Sequence, residues 1–248
     1  MSVADLSFLI GAALFVSLNA LASGHIEPED GWSSWKIEVP SGTRTWCCVA
    51  GQDWRSPGRQ CDLDSRWLSV TNFAADDAAR VYVRIEKGVL RDVRVYADAC
   101  PVRSREAIVD LGVRNGDDSL RFVAAAKLDS DRLYPAIVAH GSDEAADELK
   151  SRAEQSRGEA RELAWFWISQ LARPSAEAVL LGALNRGDSD SEPLVFALSQ
   201  LPGERSAGAL LKVLKSPKRD IETRKRALFW LGQSDDPRAQ EEIAAILD

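Results

Sequence analysis

The chain predicts an α+β fold, a small disulfide-stapled N-terminal β domain followed by a C-terminal α-solenoid of about four helical hairpins. Two observations carry that expectation. All four cysteines (Cys47, Cys48, Cys61 and Cys100) lie in the N-terminal half, among segments in which apolar and polar residues alternate. In the C-terminal half, Phe166-Trp167-Ile168-Ser169-Gln170 returns as Phe196-Ala197-Leu198-Ser199-Gln200 and again as Phe229-Trp230-Leu231-Gly232-Gln233, at spacings of 30 and 33 residues. A period of that size belongs to stacked helix pairs, because no single pair buries its own apolar stripe. The organisation expected is a signal peptide over 1–22, the β domain over 23–113 and the helical repeats over 114–248.

The leading segment reads as an export signal. Phe8 to Leu18 is uncharged and mostly apolar, and Ala20-Leu21-Ala22 supplies the small residues that precede a cleavage site before Ser23. It departs from the usual pattern in carrying Asp5 and no Lys or Arg ahead of the apolar run. That run is too short to cross about 30 Å of hydrocarbon, so no stable membrane span is expected after cleavage. Ser23-Gly24-His25 places a histidine third from the new terminus, the spacing of a Cu(II) or Ni(II) site. Flexible termini produce that match by chance, and no metal or cofactor is expected.

The cysteines fit the same compartment. An even number clustered in one part of an exported chain reads as a disulfide framework. Neighbours on a strand point to opposite faces, so Cys47 and Cys48 each reach a different partner, one taking Cys61 and the other Cys100. Both pairings stay open; Cys48–Cys61, with its short loop, beside Cys47–Cys100 is the preferred one. There is no Cys-x-x-Cys, and with two histidines in the chain no zinc spacing is present.

Strands are expected next. Trp35 to Val39 alternates, as does Arg80 to Glu86, and Lys87-Gly88 then turns the chain into Val89 to Tyr96. In this hairpin Val81, Val83 and Ile85 share a face answered by Val89, Val93 and Val95. Trp46 to Val49 and Trp67 to Thr71 read as further strands, and Gln52 to Ser65 as a loop tied down by a disulfide. Five of the eight tryptophans (Trp32, Trp35, Trp46, Trp54, Trp67) crowd this region. They read as the core of a small sheet domain, with Trp54 in the loop as the one candidate ligand aromatic.

Helical spacing takes over near Asp117, where Asp117 and Asp118 are expected to cap the run to Lys127. Pairs follow: 131–140 with 143–153, 159–170 with 175–184, 192–200 with 206–215, and 220–233 with 237–247. The second helices carry stripes of Ala176, Val179, Leu180 and Ala183, then Ala207, Leu210, Leu211 and Leu214, then Ala239, Ile243 and Ile246. Leu180 and Leu211 are the expected central core positions, with Ile246 at the end of the stack.

These pairs resemble HEAT repeats, of the HEAT-like kind found in phycobilisome lyases, over residues 130–248. Asp220-Ile221-Glu222-Thr223-Arg224 resembles the signature opening a HEAT first helix. Arg161 holds the matching place in an earlier repeat, and Ser191 replaces it in the middle one. With Cys47-Cys48 upstream and Cys100-Pro101 before the helices, the arrangement also resembles exported bacterial HEAT-repeat proteins. The resemblance implies an interaction scaffold and carries over no catalytic motif.

Gln170, Gln200 and Gln233 close the first helices, and His140 occupies the equivalent place 30 residues before Gln170. Such residues serve helix ends, which need partners for their last carbonyls. The rings of Phe166, Trp167, Phe196, Phe229 and Trp230 read mostly as core, with any exposed one a hot spot for a partner. Neither His25 nor His140 stands beside a nucleophile motif, and no phosphate-binding glycine loop, His-Glu-x-x-His or calcium loop is present.

Composition agrees with a binding role. With 248 residues, 45% hydrophobic and 28% charged, the chain is an ordinary globular one with a sizeable core. A net charge of −7 and a pI near 5.1 argue against nucleic acid and against an anionic membrane surface. The function expected is a non-enzymatic, exported scaffold, periplasmic or secreted, that binds a protein or peptide through its repeats. The alternatives are a thiol- or metal-dependent envelope enzyme using the cysteine-rich region, and a glycan or small-molecule receptor using the tryptophans.

Overall fold

The computed structural model describes residues 26–48, 61–65, 70–74, 77–171, 173–187 and 191–247. The expected signal peptide, His25, Trp54 and Trp67 lie outside the described residues, as do the side chains of Cys48 and Ile246.

The N-terminal part is a mixed sheet. Strand β1 (Gly31–Glu38) is central, and the order is β6 (Val89–Ala97), β5 (Ala78–Glu86), β1, β8 (Ile108–Val113). β5 runs antiparallel to both β1 and β6, whereas β8 runs parallel to β1. Two small pairs flank it, β2 (Thr45–Cys48) with β4 (Val70–Ala74) and β3 (Cys61–Asp62) with β7 (Val102–Arg103). The β5–β6 hairpin turns through Lys87 (φ 53) and Gly88 (φ 69), the two positive values that a tight twisted turn requires. The Asp30 carboxylate accepts from both turn amides at 2.9 Å, which holds that turn against the start of β1.

Val81 pairs with Val95 and Val83 with Val93, as the alternation predicts. Val89 does not join them. A register shift between Arg84 and Ile85 sets Leu90 opposite Ile85, so the extra residue turns Val89 outward, 47% exposed.

Helices follow: α1 (Gly116–Ala124), α2 (Ser130–Val138), α3 (Asp143–Gln155), α4 (Glu159–Gln170), α5 (Pro174–Asn185), α6 (Ser191–Ser199), α7 (Arg205–Lys215), α8 (Ile221–Gly232) and α9 (Pro237–Leu247). α1 is capped by Asn115, whose side chain accepts from the amides of Asp117 and Asp118 at 2.9 and 3.1 Å. The two aspartates expected as caps sit in the first turn instead, where their charge meets the positive helix end.

The predicted architecture needs correcting. The chain does not form a self-contained stapled β domain followed by an α-solenoid of HEAT-like hairpins; it forms a mixed α/β body. One hydrophobic core runs from Trp35 and Val81 of the sheet through Leu133, Ile137 and Ile168 to Leu198 and Leu231. The physical reason lies in α1 and α2. Their apolar stripes (Leu120, Val123, Leu133, Ile137) are buried, and they pack on β1 and β6 rather than only on other helices. Trp35 meets Phe122 edge-on at 5.5 Å and donates its indole N–H to Ser119 at 2.8 Å. Beyond this junction α4 packs on α2 and α6, α6 on α8, and α5 on α3 and α7.

Within the helices Leu180 is fully buried as predicted, but Leu211 is only half-buried. The buried residues of α7 are Ala207, Ala209, Leu210, Val213 and Leu214, so three of the four expected positions hold and Val213 takes the place of Leu211.

One disulfide is described, Cys47–Cys100, with Cα atoms 5.6 Å apart and a sequence separation of 53. It ties β2 to the turn after β6. Cys61 is disulfide-bonded as well, and no cysteine among the described residues is free. No helix among the described residues is long and apolar enough to cross a membrane.

Candidate functional site

The aromatic residues of the repeated sentence come together as one row. From the sheet outward, Trp46 of β2 meets Trp167 of α4 with ring centres 6.0 Å apart, and Trp167 meets Phe166 at 5.3 Å. Phe166 lies 6.2 Å from Phe196 of α6, with ring planes within 12°, and Phe196 lies 5.3 Å from Trp230 of α8. Trp230 meets Phe229 at 5.1 Å. Six rings thus run without a break from β2 across α4, α6 and α8.

The row runs from a buried end to an exposed one. Trp46 is buried, Trp167, Phe166 and Trp230 are half-buried, Phe196 is 36% exposed and Phe229 is 59% exposed. The rings expected mostly in the core are therefore mostly at its margin. Each first helix already fills its inner face with other residues: Trp165 and Ile168 in α4, Leu194 and Leu198 in α6, Ala227 and Leu231 in α8. The phenylalanines fall on the neighbouring strip of each helix.

That strip lines a groove of about 1010 Å³ formed by α4, α6 and α8. The sequence signalled its aromatic edge and not its acidic one. Glu162 lies four residues before Phe166 and Glu192 four before Phe196, one helical turn in each case. With Glu159 on α4 and Glu222 on α8, carboxylates stand towards the first turns and rings towards the last. Lys225 pairs with Glu222 at 3.0 Å and Arg226 with Glu192 at 3.2 Å.

The polar residues of the repeated sentence support this strip from behind. The Ser169 hydroxyl donates to the Phe166 carbonyl at 2.6 Å and accepts from the Gln170 amide at 3.0 Å; Arg44 of the β1–β2 loop donates to Gln170 at 3.3 Å. Ser199, Gln200 and the Phe196 carbonyl repeat the arrangement at the same distances. Gly232 removes the hydroxyl from the third copy, where Gln233 is the exposed cap of α8. Arg161 donates to the carbonyls of Ala153 and Ser156 at 3.0 and 2.9 Å, and Arg224 to that of Leu214 at 2.9 Å. Each satisfies the end of the preceding helix. Where Ser191 replaces this arginine, Arg219 from the α7–α8 loop donates to the Leu184 carbonyl at the end of α5.

His140 stands apart from the glutamines. It is buried, its Nδ1 donating to the Ala136 carbonyl at 2.8 Å and its Nε2 accepting from the Ser119 hydroxyl at 2.9 Å. Ser119 in turn accepts from Trp35, so a saturated chain of three side chains joins β1, α1 and α2. Burial holds the imidazole down to about 4, neutral under ordinary conditions. The pairing of serine and histidine was invisible in sequence because they stand 21 positions apart. It resembles a nucleophile and base only in composition, since Ser119 is fully buried and its hydroxyl already serves both neighbours.

The sheet's aromatic residues that are described serve the core: Trp32, Trp35 and Trp46 are all nearly inaccessible. No cluster of His, Cys, Asp and Glu suited to a metal occurs among the described residues. No protein-family model matches this chain, and no curated protein is similar to it.

Proposed function

We propose that the chain is an exported, non-enzymatic binding protein that takes a protein or peptide segment in the aromatic groove across α4, α6 and α8. The observation that carries this reading is the exposure of Phe196 and Phe229 within a continuous row of rings. A phenylalanine left in water forgoes about 2 kcal/mol of burial that an inward position would supply. Rings grouped at a groove regain it when a partner covers them, and buried aromatic anchors dominate such interfaces. The hydroxyl-to-carbonyl braces behind Phe166 and Phe196 support a preformed surface, which lowers the ordering cost of binding. The Cys47–Cys100 disulfide supports export, since such bonds persist in oxidising compartments.

A photo-crosslinking residue placed at Phe229, in the native exported setting, tests the reading against the same residue placed at Lys212 on α7. A discrete adduct at 229, absent at 212 and lost when Phe196→Asp is added, is the expected result. Equal adducts at both places, or an adduct indifferent to Phe196→Asp, would overturn it.

A further inference from the structure

We propose that the groove selects a cationic amphipathic segment, one whose Lys or Arg side chains lie beside its apolar anchors. This inference rests on the groove being the binding face. Four carboxylates line the groove, those of Glu159, Glu162, Glu192 and Glu222, against two cations. Both cations are committed inside it, Lys225 to Glu222 and Arg226 to Glu192. Glu159 and Glu162, both exposed at the start of α4, make no ion pair among the described residues. The uncompensated negative charge is therefore concentrated at one end of the groove, at α4.

Placement within the helix fixes what the partner must look like. Glu162 precedes Phe166 by four residues, which is about 6 Å along the axis. A partner that seats an apolar side chain on Phe166 and Phe196 brings a neighbouring Lys or Arg over Glu162 if the two are one helical turn, or two extended residues, apart. An anionic segment meets the unpaired carboxylates without compensation. Repulsion of that kind discriminates between partners more strongly than attraction raises affinity.

Three labelled synthetic peptides of one apolar framework, differing only in carrying Lys, Gln or Glu at the polar positions, test this by fluorescence anisotropy with the full chain. The Lys peptide should bind about tenfold or more tighter than the Gln peptide, and the Glu peptide weakest. The Lys advantage should shrink as salt is raised and vanish in the Glu159→Gln/Glu162→Gln variant. Both substitutions are at exposed helix positions, and a far-UV spectrum matching the parent checks the fold. Lys and Gln peptides that bind alike, yet both weaken with Phe229→Ser, would overturn the charge selectivity and leave the groove standing. Binding of no peptide, or binding indifferent to Phe229→Ser, would overturn both.

Discussion

Among the described glycines, Gly141 leaves the least room for a side chain. It has φ +65, and a Cβ there would lie 2.0 Å from the Thr43 hydroxyl and 2.5 Å from its methyl, where the α2–α3 corner meets the β1–β2 loop. Thr43 is buried and its hydroxyl is engaged by the Pro40 carbonyl, so it has no room to retreat. Gly141→Ala therefore combines a left-handed backbone with overpacking and should cost roughly 2–4 kcal/mol in urea unfolding. A loss below that range would mean the corner relaxes. His140, next in the chain, makes a prediction about pH. Its imidazole is neutral in the fold down to about 4, against 6.5 when free, so the unfolded chain takes up the proton first as pH falls. Its contribution is fully present above 6.5 and is lost between there and about 4, at roughly 1.4 kcal/mol per pH unit. Comparing His140→Gln with the parent across that window should show a shallower decline in the variant; equal slopes would place the titration elsewhere.

At the scale of elements, what the sequence made legible was local. The β5–β6 hairpin followed from alternation around Lys87-Gly88, because a two-residue turn fixes its own register. Val89 escaped because the bulge between it and Val93 puts the two on different faces, and nothing in a single strand marks the extra residue. Strand β8 was not expected at all: its partner β1 lies more than 70 residues upstream and the pairing is parallel. The exchange of Leu211 for Val213 in the buried face of α7 has a similar origin. Spacing gave Leu210 and Leu211 equal claims, and the neighbouring helices decided between them. The arginines of the helix corners were legible as a signature but not as an interaction. Since Arg224 alone supplies a charged donor to the Leu214 carbonyl, Arg224→Ala should cost about 1–3 kcal/mol. An unchanged unfolding midpoint would show that solvent replaces the guanidinium there.

For the whole molecule, the sequence named the buried faces without saying what covers them. The stripes of α1 and α2 are equally suited to another helix and to a sheet, and the chain uses the sheet. One shared core predicts that the sheet and the helices lose their structure together. Removing the described disulfide in Cys47→Ala/Cys100→Ala should lower stability by roughly 2–4 kcal/mol. The far-UV signal of the helices and the hydrogen-exchange protection of the β5–β6 amides should then be lost together. Separate transitions would restore two independent parts. The candidate site was half-legible in the same sense: the rings were visible as a repeat, but their exposure depends on which strip of each helix the neighbouring helices leave uncovered.

The central claim, that the outer rings serve a partner rather than the fold, is tested most directly by the unfolding free energy of Phe229→Ser, measured beside its capture of the crosslinked partner. Phe229 is 59% exposed, so stability should stay within about 0.5 kcal/mol of the parent while capture is lost. A loss of about 3–5 kcal/mol, as for a core aromatic, with capture falling only in step with the folded fraction, would contradict the account.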